Sequence, residues 1–147
     1  MEFSPGRNSF LASCGDDKRV LIWRTSSLLC SESPSPSAIM DSRHESNIFC
    51  LAFDSRSSTL LSSGNDSTVI LHDLATGKAM DVWAWEDVVY TLSVDPSHDE
   101  LFAAASNNGR VTLFLTGRVE LFRCHRCDRW WWRRWVQGLD RHAGHGL

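Results

Sequence analysis

The stretch Ser62-Ser63-Gly64-Asn65-Asp66-Ser67-Thr68-Val69-Ile70-Leu71-His72-Asp73 sets the fold. A run of small residues enters a tight Gly-Asn-Asp turn, and Val69-Ile70-Leu71 leaves it. Asn, Asp and Gly accept the backbone angles that tight turns need. β-branched residues suit a pleated, half-buried surface. The stretch therefore reads as two strands joined by a turn. Upstream, Thr59-Leu60-Leu61-Ser62 forms the body of the earlier strand, residues 54–58 make a polar turn, and Asn47-Ile48-Phe49-Cys50-Leu51-Ala52-Phe53 reads as another strand.

The same grammar recurs twice. Ser13-Cys14-Gly15-Asp16-Asp17-Lys18-Arg19-Val20-Leu21-Ile22-Trp23 precedes it, and Ala104-Ala105-Ser106-Asn107-Asn108-Gly109-Arg110-Val111-Thr112-Leu113-Phe114 follows it. Val20, Val69 and Val111 are equivalent, which gives steps of 49 and 42 residues. The longer step holds Ser31-Glu32-Ser33-Pro34-Ser35-Pro36-Ser37, expected as an expanded surface loop. Short strands with frequent turn signals indicate an all-β fold. A period near forty built from four strands selects a propeller blade. No segment shows a sustained helical period. The expectation is an all-β, partial β-propeller: about three four-stranded blades in an open sector, near 1–40, 44–83 and 86–122. Decay is expected after 114, with an irregular tail over 115–147.

Residues 2–114 resemble the WD-repeat family. Asp17 stands six before Trp23, and Asp66 stands six before His72-Asp73. This matches the family's turn Asp and terminal Trp-Asp pattern, with His72 in the Trp slot. In that family a His, a Ser or Thr, the turn Asp and the Trp form a hydrogen-bonded tetrad. The resemblance implies structural roles for His44, Ser62, Asp66 and His72 in the second unit, and for Ser13, Asp17 and Trp23 in the first. Buried indole and imidazole N–H groups need acceptors, which is the physical reason for such a set. The third unit has Trp85, Ala104, Asn108 and Phe114 at these places, so it is expected to rely on packing alone.

A narrower resemblance rests on His44-Glu45-Ser46-Asn47-Ile48-Phe49-Cys50-Leu51-Ala52-Phe53, on Val69-Ile70-Leu71-His72-Asp73, and on Glu86-Asp87 with Val89-Tyr90. These are similar to the cullin-4-associated factors. That similarity implies a protein-interaction scaffold, a substrate receptor of a cullin-4 RING ubiquitin ligase. Its partners would be the ligase adaptor and a client protein. Many such receptors end a blade in Trp-Asp-x-Arg. Trp23-Arg24-Thr25 and Phe114-Leu115-Thr116-Gly117-Arg118 both depart from that motif.

Composition narrows the other classes. Residues 1–114 carry eight Lys or Arg against fifteen Asp or Glu, which argues against generic binding to nucleic-acid phosphates. No run approaches the roughly 18 apolar residues that span a bilayer. Five cysteines at irregular spacing fit a reduced, intracellular protein of the nucleus or cytoplasm better than a disulfide framework. No phosphate-binding or dinucleotide glycine motif is present, so no cofactor or small-molecule substrate is expected. His44, Ser62 and Asp66 have the residue types of a catalytic triad. Ser62 nevertheless lacks a nucleophile elbow, and the chain reads as a non-enzyme.

The tail differs. Residues 115–147 carry seven Arg against three Asp or Glu and include Trp130-Trp131-Trp132-Arg133-Arg134-Trp135. Cys124, Cys127, His142 and His145 form the one metal-like constellation. Fourteen residues separate Cys127 from His142 and two separate the histidines, away from ordinary zinc-finger spacing. Zinc binding, or stacking on single-stranded nucleic acid, stays an alternative beside a solvated, non-homologous end. A further alternative is a truncated isoform or pseudogene-like fragment without ligase binding. An open sector of blades would leave edges and faces uncovered, so marginal stability is expected.

Overall fold

The computed structural model describes residues 1–6, 9–116 and, as backbone, 118–124. Twelve strands form three four-stranded antiparallel sheets. The first contains β1 (Glu2–Phe3), β2 (Phe10–Cys14), β3 (Val20–Arg24) and β4 (Ala38–Ile39). The second contains β5 (Ile48–Phe53), β6 (Thr59–Gly64), β7 (Thr68–Asp73) and β8 (Ala79–Ala84). The third contains β9 (Val89–Asp95), β10 (His98–Ser106), β11 (Val111–Leu115) and β12 (Arg118–Cys124). Each is a meander in sequence order, the arrangement of a propeller blade. The first strands of successive sheets lie side by side, β1 against β5 and β5 against β9. The set is an open sector.

Two details differ from the sequence expectation. A six-residue helix, α1 (Thr25–Cys30), precedes the Ser/Pro stretch and has no buried residue. It is too short to impose a periodic apolar stripe. The third sheet also runs to Cys124, two residues past the expected blade end at 122 and through the stretch of expected decay, because β12 pairs with β11 from Val111↔Cys124 to Leu115↔Arg118. The compositional break near 115 therefore cuts across a sheet. Its charged residues sit on an outermost strand, where charge is compatible with pairing.

The core lies between sheets. One cluster joins Ala12, Val20, Ile22 and Met40 of the first sheet's region to Ile48, Leu51, Phe53 and Leu60 of the second. The other joins Ala52, Leu61, Val69 and Leu71 to Val89, Leu92, Phe102, Ala104 and Phe114. Alternation along strands explains the split, since neighbouring residues face opposite sides. Leu60 faces the first sheet and Leu61 the third. At the far end of this interface, Asp99 accepts the Ser55 N–H at 2.8 Å and pairs with Arg56 at 3.2 Å.

A bulge interrupts the alternation at the same place in two sheets. Ile48 pairs with Gly64 and Cys50 with Ser63, so Phe49 is an extra residue. Val89 pairs with Ser106 and Thr91 with Ala105, so Tyr90 is extra in the same way. A bulge re-aims a side chain. Both rings are turned outward, with centroids 5.5 Å apart.

Gly64 closes the first of these bulges. A Cβ there would meet the Asn47 carbonyl oxygen at 2.3 Å, and that oxygen also accepts the Asn65 N–H at 2.8 Å. Backbone cannot step aside as a side-chain tip can. Gly64→Ala is therefore expected to destabilise by about 3 kcal/mol. Chemical denaturation measures this, and an unchanged midpoint would contradict the close approach.

Candidate functional site

The second sheet holds a continuous polar chain. Asp66 sits in the β6–β7 turn and His44 in the loop before β5. His44 Nδ1 lies 2.9 Å from Asp66 Oδ2, and His44 Nε2 lies 2.8 Å from Ser62 Oγ. Ser62 Oγ in turn lies 2.8 Å from His72 Nε2. The Thr68 hydroxyl donates to Asp66 at 2.7 Å and lies 3.0 Å from His44 Nδ1, and the Glu45 N–H donates to Asp66 at 2.8 Å. Ser62 and His72 are wholly buried, and His44 nearly so.

Hydrogen-bond logic orders the protons. A hydroxyl has one proton, so Ser62 donates to one imidazole and accepts from the other. His72 Nδ1 is buried without a partner among the described residues. An orphan lone pair is tolerated better than an orphan N–H, so His72 carries its proton on Nε2. That N–H donates to Ser62, Ser62 donates to His44 Nε2, and the His44 Nδ1–H donates to Asp66. The chain runs one way and ends on a carboxylate. It asks only for a donor at position 72. An indole N–H meets that need, and so does this imidazole, at the expense of one idle nitrogen.

The electrostatics agree. Burial first, then the neighbouring His44, pushes the His72 pKa down to about 4, against a weaker pull from Asp41. For Asp66 burial acts to raise the pKa. The hydrogen bonds from Thr68, Glu45 and His44 outweigh it, and the pKa is lowered. Ser62 is clamped between two rings with no exposed face, so the trio does not present a nucleophile. Asp66→Ala would strand the buried His44 N–H and the half-buried Thr68 donors and is expected to cost roughly 1–3 kcal/mol of stability. A thermal melt of the variant is the check, and a shift below one degree would count against it.

The first sheet keeps part of this pattern. The Trp23 indole donates to Ser13 Oγ at 2.8 Å. Asp17, grouped with them by spacing, stands apart. Its carboxylate accepts from the Arg19 backbone N–H at 3.2 Å and pairs with Arg19 Nε at 2.9 Å, on an exposed turn. The described residues place no imidazole beside it, so a local turn bond takes the carboxylate.

In the third sheet the slots hold Trp85, Ala104, Asn108 and Phe114. Trp85 and Phe114 meet as a tilted pair with centroids 4.1 Å apart, and a ring contact replaces the polar chain. Asn108 Oδ1 accepts from Ser106 Oγ at 2.9 Å and from the Arg110 N–H at 3.1 Å. Beside them a cavity of about 70 Å³ is lined by Ala84, Trp85, Glu86, Ser106, Asn108, Arg110 and Thr112. Spacing alone misses this cavity, and it misses the part Thr68 plays in the second sheet. Thr68 is recognisable in the sequence only as a hydroxyl two residues beyond the turn Asp.

Of the metal-like set, Cys127, His142 and His145 lie outside the described residues, and Cys124 ends β12. Among the described residues no group of three or more His, Cys, Asp or Glu is placed to hold a metal.

Comparison with known proteins gives a consistent picture. Residues 1–24 and 37–73 match the family described as WD domain, G-beta repeat. The chain is 44% identical over 114 residues to the DDB1- and CUL4-associated factor 5 of Homo sapiens, covering 78% of this chain. It is equally similar to the Mus musculus protein of that name. The chain spans 12% of the length of these relatives. It is 25% identical over 128 residues to the pre-rRNA-processing protein IPI3 of Mycosarcoma maydis, covering 77% of this chain and 22% of that protein. Among solved structures it resembles the β-propeller domain of Cps50 (Swd1) from Myceliophteria thermophila. That likeness has a TM-score of 0.67 and 27% identity, over 79% of this chain and 35% of that one.

Proposed function

Because this chain belongs to the WD-repeat family, we propose that it recruits proteins as part of a substrate receptor for a cullin-4 RING ubiquitin ligase. The observation that carries the reading is the 44% identity to a DDB1- and CUL4-associated factor. That identity spans 114 residues, 78% of the chain. The polar chain from His72 to Asp66 then has a structural role. It fixes the β6–β7 turn and the loop before β5, which would border the recruiting face on this reading. Client proteins would bind that face, and the ligase adaptor would bind elsewhere on the sector. The nucleus or cytoplasm is the compartment this role requires.

One observation favours a second reading, a scaffold that has lost the ligase. The ends of the repeats, Trp23-Arg24-Thr25, His72-Asp73-Leu74-Ala75 and Phe114-Leu115-Thr116-Gly117-Arg118, lack Trp-Asp-x-Arg. A pull-down of purified DDB1 by the full 147-residue chain separates the two. Retention at physiological salt supports the receptor, and passage of DDB1 unretained under mild conditions overturns it in favour of the scaffold.

A further inference from the structure

We propose that the cavity at the vacated polar slots of the third sheet is a pocket for a carboxylate carried by a partner peptide. The proposal rests on the protein-recruiting role above and names the chemistry it would read. About 70 Å³ is several times the roughly 10–15 Å³ that one water needs on the same measure. It admits a carboxylate and the carbon that bears it.

The lining carries three donor groups that face the opening. Thr112 is only 7% exposed, and its hydroxyl makes no hydrogen bond to a described residue. The oxygen is not among the fully buried polar atoms, so it faces the opening, where a ligand can take it in place of water. Asn108 is oriented unambiguously. The Arg110 backbone N–H, which can only donate, marks the oxygen, and the amide nitrogen is left with no partner among the described residues. Arg110 stands at the rim with its side chain 38% exposed, and its Nη1 is paired with Glu86 at 2.9 Å. A guanidinium has five N–H donors, so this pair leaves capacity. Trp85, packed at a tilt against Phe114, makes an apolar wall. An amide N–H, a hydroxyl and a guanidinium converging beside an aromatic wall suit a carboxylate, since charge-assisted hydrogen bonds are the strong ones.

A second feature borders the pocket. The Tyr90 hydroxyl donates to Asn107 Oδ1 at 3.3 Å, and Asn107 adjoins Asn108. The bulges that expel Phe49 and Tyr90 thus tie an exposed aromatic pair to the residue before the pocket-lining Asn108. A peptide whose carboxylate enters the pocket would lay an apolar neighbour on those rings. Glu86 gains a role as competitor: it holds Arg110 while the pocket is empty and must share it when a ligand carboxylate arrives.

Three capped peptides on the isotope-labelled full chain test this by NMR titration. They are acetyl-Ala-Leu-Glu-amide, acetyl-Ala-Leu-Gln-amide and acetyl-Ala-Leu with a free C-terminus. Saturable shifts at the Trp85 indole and Asn108 amide are expected with a carboxylate peptide, with at least tenfold weaker binding of the Gln peptide. The Glu peptide binding better assigns the pocket to acidic side chains, and the free C-terminus binding better assigns it to chain ends. Arg110→Met should weaken binding at least tenfold and Thr112→Val several-fold. Glu86→Gln should tighten it several-fold, a gain that misfolding cannot imitate. Equal binding of the Gln peptide, no binding of any peptide, or indifference to Glu86→Gln overturns the pocket. Peptide binding without DDB1 retention keeps the pocket and removes the ligase role, so the two failures are distinguishable.

Discussion

Phe102→Ala is expected to lower the unfolding free energy by about 3–5 kcal/mol, the largest single loss expected in this core. Phe102 is 1% exposed and sits in the cluster between the second and third sheets. Its ring stacks on Phe114 at 4.8 Å and packs against Trp83 at 5.6 Å. Truncation removes the transfer energy of the ring and leaves a void between the second and third sheets. The tilted Phe114–Trp85 contact would lose its backing as well. Phe102→Leu conserves most of the volume and should cost under about 1.5 kcal/mol. Denaturant midpoints of the two variants measure the difference. Equal losses would mean that this interface is loosely packed.

The second large effect is on pH. His72 titrates near 6.5 in an unfolded chain and at about 4 in the folded one. Between these values the unfolded state binds more protons, so stability rises with pH across the window and falls as pH drops from about 6.5 to 4. The difference corresponds to roughly 3 kcal/mol at full development, as an order of magnitude. The cause is visible in the geometry: a second proton on His72 would have to sit on Nδ1, where no acceptor waits. Asp66 adds a further loss at lower pH, because its lowered pKa confines that contribution to protonation below the usual carboxylate range. His72→Gln keeps a donor for Ser62 and removes the titration. Melting temperatures of the two proteins between pH 7 and pH 4 should therefore converge as pH falls. Parallel curves would show that His72 takes up its proton without penalty.

Much of this architecture can be read from the chain, and the reasons for the remainder are local. Val20, Val69 and Val111 announce the repeat because each follows a polar turn at a fixed offset, and offsets survive substitution. His44, Ser62, Asp66 and His72 meet because strand register fixes which residues share a level. Asp17 shares the spacing but not the surroundings, and a neighbouring Arg19 claims it. The bulges at Phe49 and Tyr90 leave no compositional trace. Each shows only as a three-residue step between core positions, Ile48 to Leu51 and Val89 to Leu92, where two or four would be regular. α1 is too brief to create a period. β12 is obscured by charge, although Arg118-Val119-Glu120-Leu121 alternates in the manner of a strand. The cavity by Trp85 is out of reach altogether, since a void follows from what large side chains fail to fill.

β5 shows what the alternation along a strand does at the scale of the whole chain. Ile48, Leu51 and Phe53 belong to one cluster, Cys50 and Ala52 to the other. The strand is a watershed. A change at Leu51 drains toward the first sheet and a change at Ala52 toward the third, although the two residues are joined by a single peptide bond. Neither cluster can loosen without disturbing the strand that the other also needs. The three sheets should therefore lose their order together, with β5 as the common hinge-pin of the melt.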